Sequence, residues 1–333
     1  MKKQAPLREA AAFDIKNNNN NYKDANMLKS TEERYLKLAR HFYKTRLPGT
    51  PLSTSTICKA LTACAADYRP DYFRVLKNAL AFDVVRRGFP AAAERILLTK
   101  NPTTQPNSTT PAKAKRHAVK ALGGDDVLTL LDHIGKRRYY DVYAAVTLAW
   151  LLGVRPSEMH SIRVVGEEFH ITGAKKDDRG TRGADRTLKL PCQEDFELAA
   201  GAVYVYQNTH RSLAAIRNTL REQCRQLWPR RKVQPTLKSL RHQMGSNLKA
   251  SGITPKLMAY IMGHQSTRSI ERYGDRRTAT KRGFSLPETA PNADLSKVRV
   301  SNRKKPAWYS AVPAAKGASP TTPNRQTKHR TVR

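Results

Sequence analysis

The chain has 333 residues, enough for two ordinary domains, and sets 61 Lys and Arg against 27 Asp and Glu for a formal net charge of +34. Charge this one-sided costs stability through self-repulsion, so it points to a polyanionic partner, DNA or RNA, whose phosphates release counterions on contact. No stretch approaches the ~18 apolar residues of a membrane span. The N-terminus lacks the apolar run of a signal peptide, and Cys58, Cys64, Cys192 and Cys224 form no CxxC pair. Membrane insertion, secretion and a cysteine-metal framework are therefore not expected. The chain is expected to stay in the cytoplasm, associated with the nucleoid in a bacterial host.

Residues 1–28 read as disordered, because the Asn17–Asn21 run has nothing to bury. Ser30-Thr31-Glu32-Glu33 reads as a capping box opening a helix through Tyr35, Leu38, Ala39, Phe42 and Tyr43, which Pro48-Gly49 ends. A second helix is expected from Ser53 past Cys64, a third from Pro70 to Gly88, and a fourth from Pro90 to Leu98. Together, residues 29–100 make a basic helical unit of small-domain size. Residues 101–117 begin NPTTQPNSTTPA and have no apolar period, which marks a linker.

A larger domain is expected over 118–282. Asp125 or Asp126 caps its first helix, and an apolar helix runs from Tyr140 to Leu152 and stops at Gly153. Glu168–Thr172 and Thr187–Leu190 read as paired short strands joined by a polar hairpin loop, Lys175–Asp185. Helices follow over Phe196–Tyr206, Ala214–Trp228, Leu237–Ala250 and Pro255–Met262. The last has Thr254 as N-cap, Pro255 in the first turn and Gly263 after its end. Residues 283–333 lose apolar content and gain Pro, Ser, Thr and basic residues, and read as a disordered basic tail. The expected fold class is mainly α with a small antiparallel β-sheet.

Four local patterns occur in order within the second domain: Leu152-Gly153-Val154-Arg155-Pro156-Ser157-Glu158 after an apolar helix, Gly173-Ala174-Lys175-Lys176 after a strand, Lys238-Ser239-Leu240-Arg241-His242 opening a helix, and Met262-Gly263-His264 with Tyr273 nine residues on. Singly, each has an ordinary reading. Arg155 is a helix-end arginine, Lys175 a solvated loop lysine, Lys238 and Arg241 a charged helix face, His264 a helix C-terminal partner and Tyr273 a half-buried aromatic. Their order is what the ordinary readings leave unexplained.

In that order the residues resemble the tyrosine recombinase, or phage integrase, family over about residues 118–275. The first box, T-G-x-R-x-x-E, is met with Leu152 for Thr; the second, H-x-L-R-H, with Lys238 for its first His; the third, L-G-H and a Tyr nine residues on, with Met262 for Leu. The resemblance implies a helical core-binding domain followed by a catalytic domain. It implies a site-specific DNA recombinase, the integrase of a mobile element, that cuts and rejoins DNA through a 3′-phosphotyrosine on Tyr273. Arg155 and Arg241 would hold the scissile phosphate, for which planar, always-charged guanidinium is suited. His264 would donate to the developing charge, and Lys175, with Lys176 as the fallback, would protonate the 5′-oxygen. Glu158 would orient Arg155, and His242 would pack structurally.

Lys238 departs from the pattern. A protonated lysine grips phosphate but accepts no proton, so it is read as a phosphate ligand and the proton acceptor stays open. The resemblance implies no metal and no cofactor. The implied partners are double-stranded DNA at specific attachment sites, three further copies in a homotetramer on two sites, and a directionality factor. Alternatives of related chemistry are an Xer-like dimer resolvase or a type IB topoisomerase. From a different class comes a non-catalytic DNA-binding protein on the same scaffold.

Overall fold

The computed structural model describes residues 29–115, 117–119, 121–174, 183–280 and 285–300. The chain divides into two compact units, Met1–Arg116 and His117–Arg333.

Among the described residues, the first unit holds four α-helices: α1 (Lys29–Arg46), α2 (Thr54–Ala63), α3 (Pro70–Arg86) and α4 (Pro90–Leu98). Its core gathers Ala39 and Phe42 from α1, Ile57 and Leu61 from α2, Phe73, Leu76 and Leu80 from α3, and Ile96 from α4. These are the apolar positions three and four apart, and burying that stripe supplies most of each helix's stability. Pro70 and Pro90 occupy first-turn positions, where a missing N–H costs nothing. Ser53 caps α2 in a box with Thr56. The box expected at Ser30 is not formed, because α1 is already helical at Lys29 and Ser30 lies inside it. Arg34, Lys37, Arg40 and Lys44 leave α1 with a basic exposed face. The start of the expected linker is folded: Pro102–Thr104 makes a 3₁₀ turn with Thr103 buried.

The second unit is built on α6 (Tyr140–Leu151), which is buried along nearly its whole length. A helix apolar all round belongs in a core. Around it pack α5 (Gly124–Lys136), α7 (Gln193–Gln207), α8 (Leu213–Leu227) and α9 (Leu237–Ala250); α10 (Pro255–Ile261) completes the helices. Asp125 and Asp126 do not cap α5. Gly123 takes that position, and the two aspartates lie in the first turn, where they face the positive end of the helix dipole. Asp126 also pairs with Arg231 at 2.9 Å.

A four-stranded antiparallel sheet runs in the order β1 (Ile162–Val165), β2 (Glu168–Ile171), β3 (Arg186–Lys189) and β4 (Glu288–Thr289). The fold is therefore mainly helical with a small antiparallel sheet, as expected from the sequence. In register, Ile171 faces Arg186 and Leu188 faces Thr289. β1 and β4 were not expected. β4 and its surroundings correct the expectation of a disordered tail from residue 283: Ser285 donates to Asp195 from both its backbone N (2.8 Å) and its Oγ (2.6 Å), the Arg299 amide donates to the Gln265 carbonyl, and Val298 is buried in the core. Residues 301–333 and 1–28, for which disorder is expected, lie outside the described residues. No described helix is long and apolar enough to cross a membrane.

Candidate active site

The site is assembled from the ends of elements. Just past the C-terminus of α6 the chain turns at Gly153 and presents Arg155. Because α6 is the most enclosed helix of the unit, Arg155 is anchored to the core itself. Glu158, with 0% of its side chain exposed, holds Arg155 twice: Oε2 accepts from the Arg155 amide at 2.9 Å, and Oε1 accepts from Arg155 Nη1. Arg155 Nη2 donates to the Gly263 carbonyl at 3.0 Å, which ties the end of α6 to the end of α10.

The first turn of α9, capped by Thr236 in a box with Ser239, carries Lys238 on its exposed side and Arg241 one turn on. Arg241 is 2% exposed and donates to the carbonyls of Gly153 and Met262. Its Nη2 also lies 3.1 Å from His264 Nε2. An arginine nitrogen only donates, so that imidazole nitrogen accepts and the ring proton sits on Nδ1. Burial, followed by the nearby Arg241, Arg155 and Arg186 guanidiniums, pushes His264 down to about 2, so the ring stays neutral.

Tyr273 follows a 3₁₀ turn, Thr267–Arg272. Its ring stacks on His242 (centroids 4.9 Å apart, 27° between planes), lies 5.0 Å from His264, and has the Arg241 guanidinium 5.2 Å from its centroid. The segment is then pinned to α9. The Asp275 amide donates to Ser246 Oγ at 2.9 Å, Lys249 Nζ to the Gly274 carbonyl at 3.0 Å, and the Gly274 amide to His242 Nδ1 at 3.4 Å. Burial alone would raise the phenol, but Arg241, Arg155 and Lys238 outweigh it and hold Tyr273 below the ordinary tyrosine range.

Arg155, Lys238, Arg241 and Tyr273 line one open cavity of about 460 Å³. Ser157, Thr236 and, from α8, Arg217 and Arg221 complete its polar wall, and among the described residues no acidic one lines it. His264 is brought to Arg241 and Tyr273 but braces them from behind instead of lining the cavity. His242 packs on the tyrosine ring. Lys175 and Lys176 lie outside the described residues; the Ala174 amide just before them donates to Glu158 Oε1 at 3.4 Å. Among the described residues, no group of three His, Cys, Asp or Glu is placed to hold a metal ion.

Sequence reasoning missed Arg186. At the start of β3 its side chain is 0% exposed and donates from Nη2 to Glu158 Oε2 at 2.9 Å. The signal was present: Arg186, Leu188 and Leu190 alternate on the buried face, where a cation needs a partner. Arg217 and Arg221 had no such signal, being two arginines on an amphipathic helix. Burial, opposed by Arg186, Arg155 and Arg241 together, leaves Glu158 at about 2. With His264 neutral, the guanidiniums of Arg155, Arg186 and Arg241 outnumber this one carboxylate by two, beside a cavity with no acid among its described lining residues. Burial and the Arg155 charge push Arg241 down, the mark of a cation short of an anionic partner.

Among solved structures the chain is similar to a lambda integrase tetramer bound to a Holliday junction, with TM-score 0.55, 16% identity, and 78% of this chain and 74% of that chain covered. It is also similar to a lambda integrase dimer bound to a core site, with TM-score 0.54, 16% identity, and 78% and 92% covered. A Tn1549 transposon integrase in complex with a circular intermediate DNA gives TM-score 0.54 and 14% identity over 75% and 90% of the two chains. The chain has the tyrosine-recombinase fold. No family profile and no curated protein matches the sequence. Within the tyrosine-recombinase fold, Arg155 closes α6, Arg241 and Lys238 open α9, and Tyr273 is docked against α9.

Proposed function

We propose that the protein is a tyrosine site-specific recombinase, the integrase of a mobile element. The observation that carries this is the cavity itself: four arginines, a lysine and a tyrosine with a lowered phenol line it, with excess positive charge and no acid among the described residues that line it. That is the environment a phosphodiester needs as it gains negative charge on the way to a pentavalent phosphorus.

In this reading Arg155 and Arg241 each take a non-bridging oxygen of the scissile phosphate. Arg155 is aimed by Glu158, and Arg241 by the Gly153 and Met262 carbonyls and by His264. The Tyr273 oxygen attacks phosphorus, a bond forms to the 3′-phosphate, and the bond to the 5′-oxygen breaks. Lys175 gives that leaving oxygen its proton. Lys238 holds phosphate and keeps the phenol acidic, which reduces the work asked of a general base. The 5′-hydroxyl of another strand then attacks the phosphotyrosine, releases Tyr273 and reseals the DNA. Assembly would follow the lambda integrase tetramer, four protomers on two DNA sites, with accessory proteins giving direction.

The test is covalent trapping. The protein is incubated in EDTA, without ATP, with supercoiled plasmid carrying the DNA that flanks its own gene, and quenched with SDS. A protein–DNA adduct absent from Tyr273→Phe supports the reading. No adduct, even on nicked duplexes spanning mapped binding sites, leaves a DNA-binding protein that does not cut.

A further inference from the structure

Arg186 stands apart from the residues that the cavity brings together. It does not line the cavity, yet its guanidinium is completely enclosed. Only one of its nitrogens is partnered: Nη2 donates to Glu158, while Nε and Nη1 are buried with no partner among the described residues. A buried cation so sparsely bonded is costly, and a merely structural arginine would gather carbonyls around its other donors.

What Arg186 does contact is the residue that aims the site. Glu158 accepts from the Arg155 amide, the Arg155 guanidinium, the Ala174 amide three residues past β2, and Arg186. Arg155 approaches Oε1 with its side chain and Oε2 with its backbone. Arg186 adds a second donor to Oε2 from β3, so the carboxylate is held from the sheet as well as from the Arg155 turn. Gly263 closes the arrangement. A β-carbon there would stand 2.4 Å from Arg186 Nη1 and 3.3 Å from Arg155 Nη1, so the two guanidiniums share the space that this glycine leaves open.

We infer that Arg186 is a positioning residue: by fixing Glu158 from β3, it sets where the Arg155 guanidinium meets the anion in the cavity. Resting on the reading of that cavity as a phosphate site, the inference extends it by adding a residue that never touches the substrate. Because Arg186 acts only through Arg155, its loss costs nothing further once Arg155 is gone.

A double-mutant cycle on the full chain tests this without requiring cleavage. Binding of inorganic phosphate is measured by calorimetry at constant ionic strength for wild type, Arg155→Ala, Arg186→Met and the double variant, with melting temperatures alongside. Expected are a loss of about tenfold for Arg155→Ala, a loss of the same order for Arg186→Met, and no further loss in the double variant. Arg186→Gln, which keeps a donor to Glu158 without the charge, replaces Arg186→Met in the cycle should that variant not fold. Wild-type affinity in the folded Arg186 variant overturns the inference. So do losses that multiply in the double variant, which would mark a general weakening of the fold. Wild-type protein that binds no phosphate overturns it as well. A cycle that holds while no covalent adduct ever forms keeps Arg186 as the organiser of an anion site and rejects the recombinase reading alone.

Discussion

Gly274→Ala separates the placement of Tyr273 from the stability of the fold. Gly274 has φ +68, and a β-carbon there would lie 2.2 Å from the Ser246 amide nitrogen and 2.4 Å from the Gly245 carbonyl carbon. Both are backbone atoms within α9, so α9 cannot yield and the tyrosine segment must move out. Left-handed backbone costs an alanine about 1–2 kcal/mol. Lifting the segment also gives up the bonds to Ser246 and Lys249 and the longer one to His242, each worth about 1 kcal/mol. Those bonds resist undocking; what opposes docking in the variant is the left-handed strain plus the overlap with the α9 backbone, itself about 1–3 kcal/mol. Docking is thus weakened by roughly 2–5 kcal/mol, which depletes the docked form by a factor of about 30 to 4,000. Single-turnover adduct formation should fall accordingly. Hydrogen exchange at Tyr273, Gly274 and Asp275 should accelerate, while α6 keeps its protection. Wild-type adduct yield with unchanged exchange at those three amides would refute the reasoning.

Gly263→Ala meets the two guanidiniums of Arg186 and Arg155 at φ +60, and breaking their hold on Glu158 should cost about 3–5 kcal/mol in urea unfolding. Glu158 has a folded pKa of about 2 against an ordinary 4.5, so its stabilisation is complete above 4.5 and lost as pH falls toward 2. Acid unfolding should show a component of about 3 kcal/mol in that window, missing from Glu158→Gln, which is also less stable at pH 7. Lys238→Ala should shift the pH optimum of adduct formation upward, because it removes one of the charges that lower the Tyr273 phenol. Its melting temperature should stay near wild type, since Lys238 is exposed.

Sequence reading went furthest where the signal was local. The helices from Ser53 to Ala250 and the Thr254 cap of α10 follow from apolar spacing, first-turn prolines and capping residues, all fixed within a few positions. The residues that the cavity gathers fall at motif spacings because each sits where an element starts or stops. The pairing of β2 with β3 was legible, but the outer strands were not. β1 (Ile-Arg-Val-Val) is four residues long, and β4 is two residues that finish a sheet about a hundred positions earlier in the chain. Arg186 escaped for a related reason: its meaning lies in Glu158, 28 residues away, and in the space left at Gly263. Ser30 misled because a capping sequence inside an established helix does not cap.

The two halves of the site are held by different kinds of attachment. Arg155 is an extension of α6, and moving it means opening the hydrophobic interior around Ala145, Leu148 and Leu151. Tyr273 is held by stacking on His242 and by hydrogen bonds from a short segment to α9, with Ile270 just before it seated in the core. The short turn carrying Tyr273 is therefore expected to open more readily than the end of α6 that carries Arg155. In the proposed reaction a phosphate would find its cationic cradle already in place, with the moment of attack set by the residence of the turn that carries Tyr273.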